Sequence, residues 1–227
     1  MNAAFYKLDT LFKRTGRAFF CATLLALGLC LSAPAAQADP AADARTALKG
    51  TIDQVLNLIK DPAFSNQATR ESQIEKIDST IRQIFDFSEF SSRTVGRNWN
   101  NFTDTQKNEF IDAFAQLLRA TYIDKVEGYS GEEVKYLGET VGTKGDKVEV
   151  NTNISVKTQE APIKVSYRML NKGRWVVYDV IIEGVSLVQN YRTQFNELLQ
   201  KGDAEALIAK VKTRAQELRE QNKTQTN

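Results

Sequence analysis

The chain is expected to fold as an α+β protein, a curved four-stranded antiparallel sheet covered by about six to seven helices. Two observations predict this. Helical and strand patterns are segregated along the chain, with three or four helices first, then four strands, then two helices, whereas a doubly wound sheet would alternate them. Val148, Val150, Thr152, Ile154 and Val156 alternate with Glu149, Asn151, Asn153, Ser155 and Lys157, the rhythm of an antiparallel strand with one wet and one covered face. Such sheets coil, so the covered face becomes concave.

From Ala41 to Lys60, Leu48, Ile52, Val55, Leu56 and Ile59 recur at helical spacing, and Pro62 ends the helix. Ile74, Ile77, Ile81, Ile84 and Phe85 form a second stripe, and a short helix is expected around Phe87 to Phe90. Gly96, Arg97 and Trp99 follow it. Gly96 permits a left-handed turn with Trp99 closing the core beneath, and a pocket rim or contact surface is the functional alternative. Thr103 with Gln106 has the form of a capping box, opening a helix that carries Phe110, Ile111, Phe114, Leu117, Leu118 and Tyr122 on one face.

Residues 133–141 are expected to form the first strand. The next follows from the alternation at Val148, and a third from Ile163, Val165, Tyr167 and Met169 alternating with Lys164, Ser166 and Arg168. Turns are expected at Gly145-Asp146, Gln159 to Pro162 and Asn171-Lys172-Gly173. The last strand, 174–183, is apolar on both faces, so both need cover, and it turns at Gly184 into a helix. Ser186 with Gln189 is a further capping pattern, Tyr191, Phe195, Leu198 and Leu199 continue that stripe, and Asp203 caps a final helix with Leu207, Val211 and Leu218. One folded unit over 39–220 is expected, with a frayed polar tail at 221–227.

Asp179 breaks the apolar last strand. An acid inside a cavity beside Tyr167 or Tyr178 could act as a base toward a polarised substrate. Alternatively it accepts backbone hydrogen bonds or pairs with Arg168, Arg174 or Arg192. Strand alternation also sends Asp179 away from Tyr178, Val180 and Ile182.

Lys7, Lys13, Arg14 and Arg17 precede an apolar run from Ala18 to Leu31, and Ala36-Gln37-Ala38 presents small residues where a signal peptidase reads. Residues 1–38 are therefore expected to be a signal peptide cleaved after Ala38. The apolar run is short of the roughly 20 residues that span a bilayer, and Leu29 before Cys30 is too large for the usual lipidation box. Both cysteines, Cys21 and Cys30, fall in the leader, so the exported product has no thiol, and the chain contains 0 histidines. Zinc sites and Ser-His or Cys-His devices are thereby excluded, and no metal or cofactor is expected. Removing the leader's four basic residues and Asp9 from 30 basic and 28 acidic residues leaves 26 against 27. That balance is a poor footprint for nucleic acid.

The run Tyr178-Asp179, then Glu183-Gly184-Val185-Ser186, together with Gly96, Trp99, Thr103, Gln106, Phe110, Phe114 and Tyr122, resembles the MlaC family of periplasmic phospholipid carriers, also called toluene-tolerance proteins. The resemblance implies a sheet related to the NTF2-like cone in a body of two intermixed subdomains. It also implies acyl tails held in a hydrophobic pocket between sheet and helices, with the head group at the mouth. The inward residues then become pocket residues: Val150, Ile154, Val165, Tyr167, Val177, Tyr178, Val180 and Ile182 from the sheet, with Phe110, Phe114, Leu118, Tyr122, Leu187, Val188 and Tyr191 from the helices. Periodicity alone describes these as an ordinary core. The sequence shows no dedicated anion-binding loop or basic cluster for a head group, so a head group left largely in water is expected.

The implied partners are phospholipid, an inner-membrane ABC transporter with its MCE-domain subunit, and an outer-membrane lipoprotein and porin complex. The protein itself is expected to be a monomer without enzymatic activity. The other classes compatible with the sequence are an NTF2-like isomerase or dehydratase using an internal acid, and a ligand-free periplasmic scaffold.

Overall fold

The computed structural model describes residues 39–127, 133–155 and 161–226. The expected leader over 1–38, Val156, Lys157 and the start of the turn at Gln159 lie outside the described residues. Helices α1 (Pro40–Lys60), α2 (Pro62–Ser65), α3 (Arg70–Ile84) and α4 (Phe87–Val95) are followed by a 3-10 helix (Gly96–Asn101) and α5 (Asp104–Glu127). Strands β1 (Glu133–Val141), β2 (Lys147–Ser155), β3 (Ile163–Asn171), β4 (Trp175–Ile182) and β5 (Val185–Ser186) come next, then α6 (Leu187–Leu199) and α7 (Ala204–Thr226). The α+β class and the segregation of elements agree with the sequence pattern.

Local chemistry sets the boundaries. Asp61 ends α1 in an extended conformation and caps α2, accepting from the Ala63 amide at 2.8 Å with Pro62 in the first turn. Thr103 and Gln106 form the reciprocal capping box, at 2.9 and 3.2 Å. Ser186 accepts from the Gln189 amide at 3.1 Å to start α6, and Asp203 caps α7.

The sheet is an antiparallel meander, in order β1-β2-β3-β4-β5. It has five strands where the sequence predicts four. Glu183 and Gly184 both adopt positive φ, 48° and 81°, and Ile182 pairs with Val185. That is a two-residue hairpin loop, whose twist matches the flanking strands. The chain therefore folds back along β4 for two residues before α6 begins. Glu183 tolerates its conformation because its amide donates to the Lys164 carbonyl at 2.9 Å and its carboxylate accepts from the Lys164 amide.

The outer edge of β4 is covered twice, by β5 at Ile181 and Ile182 and, further back, by Phe85 and Asp86 alongside Val177, where the Asp86 amide donates to the Val177 carbonyl at 3.0 Å. At the other end of the sheet, β1 pairs only with β2 among the described residues. Its register shifts between Tyr136 and Gly138, Gly138 has φ 144°, and Leu137 and Val141 are exposed. Helix α7 continues to Thr226, past the expected fraying point, and the Asn222 side chain donates to the Ala120 carbonyl of α5 at 2.9 Å.

Apolar packing divides into three clusters rather than one core. The first joins α4 to α7 through Phe90, Phe110, Phe114, Tyr191, Phe195 and Leu207. The second joins α1 to one face of the sheet through Ala44, Leu48, Val148, Val150, Met169 and Val177. The third, around Ile59, Phe64, Ile74 and Ile77, closes α1 to α3. Phe85 and Leu187 pack against both of the first two clusters and so sit at their seam.

Candidate functional site

The fifteen residues expected to line a pocket divide between two of these clusters. Phe110, Phe114, Leu118, Val188 and Tyr191 belong to the helical one, with Tyr122 packed against it. Val150, Val165, Val177 and Val180 belong to the sheet cluster, with Ile154, Tyr167 and Ile182 packed against it, while Leu187 touches both. Tyr178 belongs to neither.

The helical cluster is a packed aromatic core. Phe110 and Phe114 have no exposed surface. Phe114 contacts Phe90, Phe110, Tyr191 and Phe195 with ring centroids 4.8 to 5.6 Å apart, several of them edge-on, the spacing at which aromatic pairs attract beyond their buried area. Tyr122 borders this core, where burial and the neighbouring Tyr191 push its hydroxyl up to about 12.

The sheet cluster is graded instead. Across the strands, the row Val148, Met169 and Val177 is sealed under Ala44 and Leu48. Two rows further on, Val165 is buried but its neighbour Ile182 is only half-buried, and at the end of the strands the paired Ile154 and Ile163 are both half-buried. Helix α1 offers half-buried Ile52 to the same space. Packing thus loosens along the strands from the Val148 end toward the Ile154 end. Tyr167 lies within this gradient. Burial pushes its hydroxyl up to about 12, and the residue as a whole is half-buried. Nearby, the Tyr136 hydroxyl is buried without a hydrogen-bond partner among the described residues, and burial, then Tyr167 and Asp53, raise its pKa.

Tyr178 departs from the predicted alternation. The β3–β4 register slips here, with Arg168 opposite Asp179 and Met169 opposite Val177, so Tyr178 is the extra residue of a bulge. Val180 and Ile182 stay on the apolar face, while Tyr178 and Asp179 both line a cleft that also takes in Arg168. The expectation that acid and adjacent phenol diverge is therefore corrected, because period-2 reasoning fails at a bulge. Burial raises the Tyr178 pKa against the opposing pull of Arg93 and Arg168, so the phenol stays protonated at neutral pH.

Asp179 is fully committed inside the protein. Its Oδ2 accepts from the Ser186 hydroxyl at 2.7 Å and from Arg168 Nη1 at 3.3 Å, and its Oδ1 accepts from the Val188 amide at 3.0 Å. Of the alternatives open at the sequence level, this is backbone acceptance with an Arg168 pair. A carboxylate held by three donors joins β4 to the start of α6, and its oxygens are turned to the protein's own donors rather than to a substrate.

The same cleft brings together what no single segment displays: Arg93 of α4, Arg97 of the 3-10 helix, Arg168 of β3 and Arg192 of α6, around a space of about 550 Å³. Arg93 lies over the Tyr178 ring at 4.2 Å. The four arginines are separated by up to about a hundred positions in sequence. Only the contact of α4 and α6 with β4 assembles them, so a search for local basic runs misses the cluster. Among the described residues there is no group of His, Cys, Asp or Glu suited to a metal ion, and no helix long and apolar enough to cross a membrane.

A family model described as MlaC protein matches residues 49–213. The chain is similar to the intermembrane phospholipid transport system binding protein MlaC of Haemophilus influenzae, with 25% identity over 183 residues covering 75% of this chain and 86% of the relative. It is also similar to the solved structure of a phospholipid-binding protein from Ralstonia solanacearum in complex with a phospholipid. There the TM-score is 0.68 and the identity 25%, covering 78% of this chain and 98% of the other.

Proposed function

This chain belongs to the MlaC family, and on that premise we propose that it is a periplasmic phospholipid carrier that shelters acyl chains between α1 and the sheet and performs no covalent chemistry. The observation that carries the reading is the fold it shares, over 98% of the other chain, with a protein solved holding a phospholipid. The graded sheet face supports it: Ile154, Ile163, Tyr167 and Ile182 form an apolar surface that the polypeptide covers only in part. We assign the tails to this loosened end, beneath a curved NTF2-like sheet, and the packed aromatic helices to support. In this reading the Tyr136 hydroxyl, buried without a partner among the described residues, donates to an ester carbonyl of the guest.

Each methylene removed from water contributes roughly 0.8 kcal/mol, so two chains of about 16 carbons gain on the order of 20 kcal/mol relative to water. A bilayer offers nearly the same environment. The net preference of the carrier over membrane is therefore small, which lets it load at one complex and unload at another. The proposed donors and acceptors are an inner-membrane ABC transporter with an MCE-domain subunit and an outer-membrane lipoprotein and porin complex. An isomerase reading loses its base, because Asp179 is held by Ser186, Val188 and Arg168.

Mass spectrometry of an organic extract of the purified protein tests the reading. Near-stoichiometric phospholipid is expected, reduced in Ile154→Asp and Ile182→Asp while circular dichroism stays native. Protein that carries no lipid as purified, and takes none from vesicles, overturns it.

A further inference from the structure

The arginine cleft is not used by this carrier reading. Arg168 alternates with Tyr167 and Met169 of the apolar face, so it projects to the opposite side of the sheet, and the cleft it lines is separate from the space assigned to acyl chains. Two of the four arginines are already paired: Arg93 with Glu89 at 2.7 Å, and Arg168 with Glu149 at 2.9 Å and Asp179 at 3.3 Å. Arg97 and Arg192 make no ion pair or side-chain hydrogen bond among the described residues. Four guanidinium groups thus stand against three carboxylates, and Asp179 is committed to Ser186, Val188 and Arg168.

The backbone is shaped around one of the unpaired cations. Gly96 has φ 62°, and a Cβ placed on it would lie 2.8 Å from Arg192 Nη2 and 3.1 Å from Nε. Only glycine both adopts that conformation readily and lets the guanidinium rest against the main chain. The neutral Tyr178 phenol and the side-chain amides of Asn100 and Gln189 add hydrogen-bonding groups to the same walls.

We propose that this cleft binds a phosphate group, either the diester of a lipid head group or a free phosphate, through Arg97 and Arg192. Guanidinium forks match phosphate oxygens in bidentate geometry. Two forks from different elements suit an anion that presents several oxygens in different directions, whereas a planar carboxylate is satisfied by one. A phosphate here bridges the 3-10 helix to α6 and relieves the repulsion among the four cations.

The test uses the whole exported chain and two probes: NMR titration with inorganic phosphate, and co-flotation with phosphatidylglycerol vesicles. Saturable shifts at the amides of Gly96, Tyr178 and Gln189 without flotation support the site and identify free phosphate as its source. Flotation that declines with added salt supports it with the lipid head group as source. In either arm, Arg97→Gln with Arg192→Gln is expected to weaken binding by about tenfold or more, and replacement of both by lysine to recover it only in part. Both side chains are exposed, so the melting temperature and copurified phospholipid should stay unchanged. The absence of both cleft shifts and arginine-dependent flotation would overturn the proposal. Loss of copurified phospholipid in the glutamine pair would make the cleft part of the cargo site and overturn its separateness. Absence of lipid from the wild-type protein would sink the carrier reading but leave the phosphate titration readable.

Discussion

Asp179 of β4 and Ser186, the residue that caps α6, are joined by a buried hydrogen bond of 2.7 Å. The serine hydroxyl donates to the carboxylate and at the same time accepts from the Gln189 amide. The carboxylate reaches one residue further, to the Val188 amide at 3.0 Å. One acid therefore fixes the angle at which the last strand passes into the helical half of the molecule.

Asp179→Ala should destabilise the protein by about 3 kcal/mol, because it strands a buried hydroxyl, a buried amide and part of Arg168. Asp179→Asn, which keeps an acceptor for the Val188 amide, should cost about half as much. Urea denaturation reads both, as a lower midpoint at unchanged slope. A neutral Asp179→Ala would show that the β4–α6 junction is held by other means.

Asp86 and Lys172 set a pH dependence with two opposite limbs. Burial by itself raises the Asp86 pKa, but the Lys172 ammonium at 2.7 Å and the amides of Glu89 and Ser88 outweigh it and hold the carboxyl below 3.8. Its contribution is present above the unfolded value and lost as pH falls through the lower, folded one. The hydrogen bond that Lys172 donates to Asp86 in turn raises the Lys172 pKa above 10.5, so that contribution is complete below the unfolded lysine value and lost as pH rises through the folded one. Lys172→Gln should move the acid limb of a stability-versus-pH curve to higher pH and remove the group's part of the alkaline limb. An unchanged acid limb would count against the pairing.

Gly96→Ala should destabilise by more than about 1 kcal/mol, combining a positive φ of 62° with the contact to Arg192. In an Arg192→Ala background the loss should shrink but persist, since only the contact is removed. Thermal melts of the four proteins in the cycle separate the two contributions.

Phe114→Ala should cost about 3–5 kcal/mol, as expected for deleting a fully buried ring from an aromatic cluster. Phospholipid bound per folded molecule should stay near the wild-type level. Half-buried Ile163→Ala should show the reverse, a small stability change with reduced lipid. Equal lipid losses from both would argue that the tails occupy the helical core.

The sequence made the periodic parts of this fold legible. Alternation at Val148 and Ile163 marks β2 and β3, and the capping patterns at Thr103, Ser186 and Asp203 sit where α5, α6 and α7 begin. Gly96 does take a positive φ, and Trp99 packs on Phe102 and Phe110 as the local pattern suggests. Two features escaped because neither is periodic. The bulge at Tyr178 turns on a one-residue slip against β3 that β4 alone does not encode. The hairpin at Glu183-Gly184 places a non-glycine residue at positive φ, tied to Lys164 across the sheet. The arginine cleft is a tertiary product of the same kind. For the apolar residues, spacing told which side chains turn inward, while the division between the aromatic helical cluster and the sheet face depends on how the layers approach each other.

Gly138 carries one more consequence. Strand β1 ends the sheet, pairing with no further strand among the described residues and exposing Leu137 and Val141, a ready template for strands of other molecules. The kink at Gly138 breaks that template into two short, differently aimed pieces. A neighbouring copy can therefore zip against only half of it, and growth of an intermolecular sheet stalls at the glycine.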